Sequence, residues 1–344
     1  MSIPQVLQIL GERHSDMTGR GFALLANVRR ITADAPYEVA PNVFLRKATS
    51  AEAITLRELI TLTSFNLSHS TLSSIGFRNP YETSCEATVI ETGVTSRKTY
   101  TLPEVEWRYH VADFEGTNDI LYRFVETTML TPWRLHLGVA VLDGSGGRGQ
   151  FAIVSDPAQD RAIAEANMED DVLLTLGLPE LDELRYVYSK TEAHSDSRVN
   201  LHDAMQRFAQ LDTIPAPNAL LFLGYISILE SLLTHKPDPK DPYDSLTRQV
   251  RQKMLLLGKR FARPLPYESC FGLDLNHAAK IAKIWTKLYD YRSSLAHGGH
   301  ADFKQRLQLL KSPSAALDFI KVATVSTMRQ ALEEPDLVAD LRAC

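Results

Sequence analysis

The sequence predicts an α+β N-terminal domain with a mostly antiparallel sheet, followed by an all-α helical bundle. Three observations carry this. From Tyr37 to about Pro157 the apolar residues fall in short, β-branched runs broken by turn residues. After Asp156-Pro157 the apolar spacing lengthens to the helical period, and proline-bearing joints (TIPAPN at 213–218, THKPDPKDPYD at 234–244) separate the runs. The length, 344 residues, is enough for two domains each with its own core. The expected division is residues 1–157 for the α+β domain, 158–195 for a linking segment and 196–344 for the helical domain.

Taken in chain order, VAPNVFLRKAT (39–49), ATVIETGV (87–94), EVEWRYHVADF (104–114), LHLGVAVLDG (135–144) and GQFAIVSD (149–156) read as strands. Between the first two, Thr49-Ser-Ala-Glu52 has the form of a capping box and predicts a helix through Leu59 and Ile60. The Gly144–Gly149 run lacks the Gly-Lys-Ser/Thr ending of a phosphate-binding loop and has strand-like sequence on both sides, which predicts a hairpin connection. The linking segment is expected to hold helices and a strand around Leu184–Ser189. Helices are predicted over Arg198–Leu211, Pro217–Thr234, Ser245–Phe261, Asn276–His297 and Ser314–Glu333.

Hydrophobic residues make up 44% of the chain and charged residues 23%, the proportions of a soluble globular protein. A formal net charge of −5 carries no whole-chain signature of nucleic-acid binding, so any such contact must come from a local patch. Cys85, Cys270 and Cys344 are far apart and lack CxxC spacing, which argues against a disulfide framework or zinc knuckle and suits a reducing cytoplasm. The first residues have no basic stretch followed by a long apolar run, so no signal peptide is expected. The longest apolar segment, Ala219–Leu233, contains Ser227 and Glu230 and predicts a buried helix, with no membrane partner.

Near the end of the fourth predicted helix the chain reads KLYDYRSSLAHGGH (287–300). On an ideal wheel Ile281, Ile284, Trp285, Leu288, Tyr291 and Leu295 share one face, and Arg292 falls inside that stripe. A guanidinium there requires a partner or an anion at the edge of the core. His297 lies about 140° around the helix from Arg292. Gly298 and Gly299 are the expected C-cap, which puts His297 in the last turn, where the helix dipole favours imidazolium. The two side chains therefore do not meet on one face. Either the helix end distorts, or a two-fold partner brings its own pair alongside.

Arg292-x4-His297 matches the R-x4-6-H signature of the HEPN superfamily, and its surroundings resemble the Apea-like HEPN group. RVNLHDAMQRFAQL, GYISILESLLT, SLTRQVRQKMLLLGKR and LYDYRSSLAHGG follow one another as that group's helices do, over roughly residues 196 to 335. The resemblance implies a homodimer formed through the helical domain and metal-independent RNA cleavage by 2′-hydroxyl attack, with no cofactor. It implies catalytic roles for Arg292 and His297 and a setting in phage defence or as a toxin. Ser293 departs from the pattern, since many active members have Asn, Asp or His directly after the arginine.

Those side chains suit that chemistry. His297 can accept or donate a proton, and Arg292 offers a fork of donors to phosphate oxygens. Glu230 is expected to hold Arg292 from a facing helix, while Tyr289, Asp290 and Ser293 are candidates to support the pair. Arg248, Arg251, Lys253, Lys259, Arg260, Lys283 and Lys287 are candidate RNA-backbone contacts or, equally, a solvated helix face. His297, His300 and Asp302 have the residue types of a metal triad, but the glycine pair leaves their spacing unconstrained and no metal is expected. The function expected is thus an endoribonuclease whose N-terminal domain senses a protein or small-molecule trigger or restrains activity. The alternative is a non-catalytic module for dimerisation and RNA or nucleotide binding.

Overall fold

The computed structural model describes residues 18–67, 79, 81–89, 95–143, 150–152, 173–196, 198–211, 214, 218–241, 245–273 and 278–344. The Gly144–Gly149 run and residues 158–172 lie outside them. The chain divides into two units, Met1–Ser189 and Lys190–Cys344.

In the N-terminal unit, strands β1 (Thr18–Leu25), β3 (Tyr37–Ala40), β4 (Val43–Lys47), β7 (His110–Thr117), β8 (Leu137–Asp143) and β9 (Gln150–Ala152) form one antiparallel sheet in the order β3-β4-β7-β1-β8-β9. Two smaller pairings accompany it, the hairpin β5 (Thr83–Val89) with β6 (Thr95–Thr101) and the parallel pair β2 (Val28–Ile31) with β10 (Leu174–Leu176). Alternation sends Leu24, Val111, Val139 and Val141 to one face, where they pack on Leu56, Leu59 and Ile60 of helix α1 (Ser50–Leu67). Ala23, Ala112, Phe114 and Ala140 go to the other face, against Leu121 and Phe124 of α2 (Asn118–Thr128) and Leu181, Leu184 and Tyr188 of α3 (Leu178–Glu192).

The capping box at the start of α1 forms in both directions, Thr49 N–H donating to Glu52 Oε2 at 2.8 Å and Glu52 N–H to Thr49 Oγ1 at 3.3 Å. Glu52 also takes both guanidinium arms of Arg46 at 2.7 Å each, and Arg46 reaches Asp113 at 2.9 Å, tying the helix start to β4 and β7. Three expectations are corrected. VAPNVFLRKAT is two strands, because Pro41 and Asn42, the latter at φ 61°, turn the chain between β3 and β4. Glu104–Glu106 is a short 3-10 turn ahead of β7. Leu184–Ser189 is helix rather than strand, its apolar residues having the three- and four-residue spacing of α3's buried face.

The C-terminal unit is helical: α4 (Leu201–Leu211), α5 (Ala219–Leu233), α6 (Leu246–Leu257), α7 (Tyr267–Phe271), α8 (Ala278–Ala296), α9 (Pro313–Glu333) and α10 (Pro335–Ala343). Asn218, Ser245 and Ser312 cap α5, α6 and α9 through their side-chain oxygens. Trp285 of α8 is fully buried, donates from Nε1 to Tyr267 Oη at 2.9 Å and meets Phe319 of α9 edge-on at 5.7 Å. Gly224 lets α5 approach α4, since a Cβ there would lie 2.4 Å from Leu211 Cδ2. Among the described residues no helix is long and apolar enough to cross a membrane.

His110 in β7 generates a prediction. Its Nδ1–H donates to the Arg108 carbonyl at 3.0 Å while Nε2 accepts from Ile31 N–H at 3.3 Å. Burial lowers its pKa from 6.5 to about 4. The folded state therefore binds fewer protons than the unfolded state below pH 6.5, and stability present above that pH is lost as pH falls through 4. Urea denaturation should show the N-terminal unit losing about 3 kcal/mol over this window. The His110→Asn variant should have a shallower pH slope; an unaltered slope would remove His110 as the titrating group.

Candidate functional site

α8 forms because its apolar residues recur every three or four positions; Ile284, Trp285, Leu288 and Tyr291 are all buried. The helix keeps its period to the end. His297 N–H bonds the Ser293 carbonyl at 3.1 Å, a four-residue step. Gly298 then takes φ 65°, with Gly299 N–H on Ser294 O at 2.7 Å and Gly298 N–H on Leu295 O at 3.4 Å, the paired bonds of a Schellman motif. The end does not distort, so Arg292 and His297 stand about 140° apart on a regular helix.

Arg292 sits in the apolar stripe with its side chain 34% exposed, and its Nη2 lies 3.5 Å from Glu230 Oε2 on α5. That separation is an ion pair at the long end rather than a bidentate bond. A cavity of about 330 Å³ opens beside the pair, lined by Glu230, Pro237, Ser245, Leu246, Thr247, Tyr289, Arg292 and Ser293. Ser245, the cap of α6, accepts from Arg248 N–H at 3.3 Å and so brings the first turn of that helix to the cavity wall. Glu230 Oε1 and Tyr289 Oη are both buried there, the phenol within hydrogen-bonding reach of the Glu230 carboxylate. Burial first, and the Glu230 carboxylate second, push the Tyr289 phenol well above its ordinary range, so it keeps its proton.

His297 is exposed, on the helix face that also carries Asp290 seven residues earlier. Asp290 holds Lys287 at 2.9 Å, on the side of the helix away from Arg292. Its carbonyl accepts from Arg306 Nη2 at 3.0 Å, and the same guanidinium donates to Ser294 Oγ at 2.8 Å. Arg306 is a cation at this helix end that sequence reasoning missed; it reaches α8 from beyond the glycine pair, and no local spacing signals it. Asp302 turns its Oδ1 to the backbone N–H groups of Lys304 and Gln305 at 2.8 and 3.0 Å. Among the described residues no group of three or more His, Cys, Asp or Glu is placed to hold a metal ion.

The basic residues divide by exposure. Arg248, Lys259 and Lys283 are exposed. Arg251 is half-buried with Nη1 3.5 Å from Thr286 Oγ1 of α8, and Arg260 is engaged by Glu334 at 2.8 Å. Lys253, expected with the RNA contacts, is corrected: it is 5% exposed, and its ammonium donates to the Leu233 carbonyl at 2.9 Å in the last turn of α5. It lies about 140° around α6 from Arg248, on the inward side.

The N-terminal unit has a cavity of its own, about 470 Å³, beside the start of α1 and walled by Lys47, Glu104, Trp107 and Tyr109. Arg57 covers the Trp107 ring at 4.2 Å, and Lys47 Nζ donates to the Val105 carbonyl at 2.7 Å.

Lys253→Met should lower the stability of the C-terminal unit by roughly 1–3 kcal/mol in chemical denaturation, because the Leu233 carbonyl loses a buried donor. Lys259→Ala and Lys283→Ala should leave stability within about 0.5 kcal/mol of the parent.

No family model matches the chain, nor does any curated protein or any solved structure, so its own residues carry the functional reading.

Proposed function

We propose that the chain is a metal-independent endoribonuclease of the HEPN type, working as a cytoplasmic homodimer through its helical unit, in phage defence or as a toxin. The observation that carries this reading is the regular end of α8, which holds a loosely paired Arg292 on one side and an exposed His297 on the other. On one chain the two groups point to different sides of the helix. A two-fold axis beside α8 would gather two arginines and two histidines in one cleft.

In such a cleft one His297 accepts the 2′-hydroxyl proton while the 2′-oxygen bonds to phosphorus. The bond from phosphorus to the 5′-oxygen breaks, and the partner copy's histidine, entering as imidazolium, returns a proton to that oxygen. The products are a 2′,3′-cyclic phosphate and a free 5′-hydroxyl. Arg292 faces the charge that builds on the non-bridging oxygens. DNA lacks the nucleophile and is not cleaved. The cavity beside α1 is the candidate seat for a protein or small-molecule trigger on the N-terminal unit.

A second reading, a non-catalytic dimerisation and RNA- or nucleotide-binding module, is favoured by two features. Arg292 has an anion of its own chain at 3.5 Å, and Ser293 follows the arginine.

The discriminating experiment is incubation with single-stranded and structured RNA in EDTA. Wild type should leave cyclic-phosphate ends, and Arg292→Ala and His297→Ala should each lower the rate by about 10²–10⁴-fold while remaining folded dimers. Binding without cleavage by wild type would establish the module instead, and equal cleavage by all three proteins would mark a contaminant.

A further inference from the structure

We propose that Arg306 is the cation that seats an RNA phosphate against His297 of the same chain, making the C-terminal end of α8 a phosphodiester-binding half-site. This seat rests on the RNA-acting reading of the helix end, but not on turnover.

The loop after α8 is built to bring Arg306 there. The left-handed Gly298 turns the chain, and Gly299 N–H comes back onto the Ser294 carbonyl at 2.7 Å. Phe303 meets the Tyr291 ring edge-on at 5.0 Å, and Leu307 is fully buried, its N–H on the Asp302 carbonyl at 2.8 Å. Arg306 is held between these two anchors. Its Nη2 donates to the Asp290 carbonyl at 3.0 Å and to Ser294 Oγ at 2.8 Å. Arg306 is exposed all the same, and among the described residues only this one of its three guanidinium nitrogens is engaged.

Helix geometry puts His297 beside that anchor. Ser294 and His297 are three residues apart on a regular helix, which sets their Cβ atoms about 5–6 Å apart. The imidazole is exposed next to a guanidinium whose Nε and Nη1 remain for an acceptor. A phosphodiester can give one non-bridging oxygen to that fork and turn an ester oxygen to the imidazole. The negative charges nearby are answered. Asp290 is neutralised by Lys287 at 2.9 Å, and Asp302 turns Oδ1 to the N–H groups of Lys304 and Gln305. The carbonyls of Ser293, Ser294 and Leu295, which would carry the negative end of the helix dipole, accept from His297, Gly299 and Gly298 N–H.

The test is an NMR titration of the whole chain with dUpU, a dinucleotide that has the phosphodiester but not the attacking 2′-hydroxyl, and so stays intact. His297→Gln assigns the His297 imidazole signal, which in wild type should move saturably with the probe. The Arg306 Nε–H signal should follow the same curve, a readout that needs no folded variant. Arg306→Gln, whose amide can still donate to Ser294 Oγ, should weaken the His297 response about tenfold or more. Lys304→Gln removes an exposed cation from the same loop and should leave the response within about threefold. Thermal unfolding establishes that both variants are folded. In RNA cleavage Arg306→Gln should be slower by about 10²-fold or more.

A His297 signal indifferent to dUpU, an Arg306 signal that does not follow it, or an equal response in folded Arg306→Gln would each overturn the proposal; the last is the result for a guanidinium that only caps the helix. An equal loss in Lys304→Gln would overturn it too, by showing unspecific charge. Probe binding that depends on Arg306 in a protein that cleaves no RNA would remove the nuclease reading and leave the half-site standing. Cleavage unchanged in Arg306→Gln would do the reverse.

Discussion

Backbone hydrogen bonding along α8 governs the arrangement of the site. The four-residue ladder runs on to His297, where the left-handed Gly298 closes it, so each side chain's direction is fixed by its number alone. Trp285, locked between Tyr267 and Phe319, sets the rotation of the helix about its axis. Once that rotation is set, Arg292 must emerge within the apolar stripe and His297 must face outward. Glu230 then becomes necessary, because a guanidinium at the edge of a core demands an opposite charge.

A charged pair in such a position cannot pack as leucines would. The space beside it stays open, and the wall opposite is the polar first turn of α6 rather than another apolar stripe. The cavity is therefore a by-product of placing an ion pair where three helices approach one another. The polar part of its lining, Ser245, Thr247, Tyr289 and Ser293, follows from the same cause, since donors and acceptors face Arg292 and Glu230 at low cost.

Much of this was legible in the sequence, and the rest shows what local pattern leaves out. Pro313–Glu333 and Ala278–Ala296 begin and end within a few residues of expectation, because an apolar stripe sustained over several turns has no competing reading. The C-cap glycines and the Glu230–Arg292 pairing were likewise readable, the latter because a buried carboxylate and a stripe arginine need each other. Strand β1 escaped. Its sequence, TGRGFALL, has two glycines that depress strand propensity, yet a Cβ on Gly21 would lie 2.6 Å from the Val141 carbonyl oxygen, so glycine is what admits it to the sheet. Lys253 was misplaced because composition counts its charge without saying which way its four-carbon stem turns. Arg306 was invisible, since its link to Asp290 spans 16 residues across a loop.

The position of β1 has a consequence for how the N-terminal unit is made. It is hydrogen-bonded on both edges, to β7 and to β8, and Arg20 meets Asp113 across 93 positions. The first of the described strands is thus in the middle of the sheet, and it must wait for both neighbours to be synthesised before its backbone groups are satisfied. Such long-range closure slows folding and leaves an unpaired apolar ribbon exposed meanwhile.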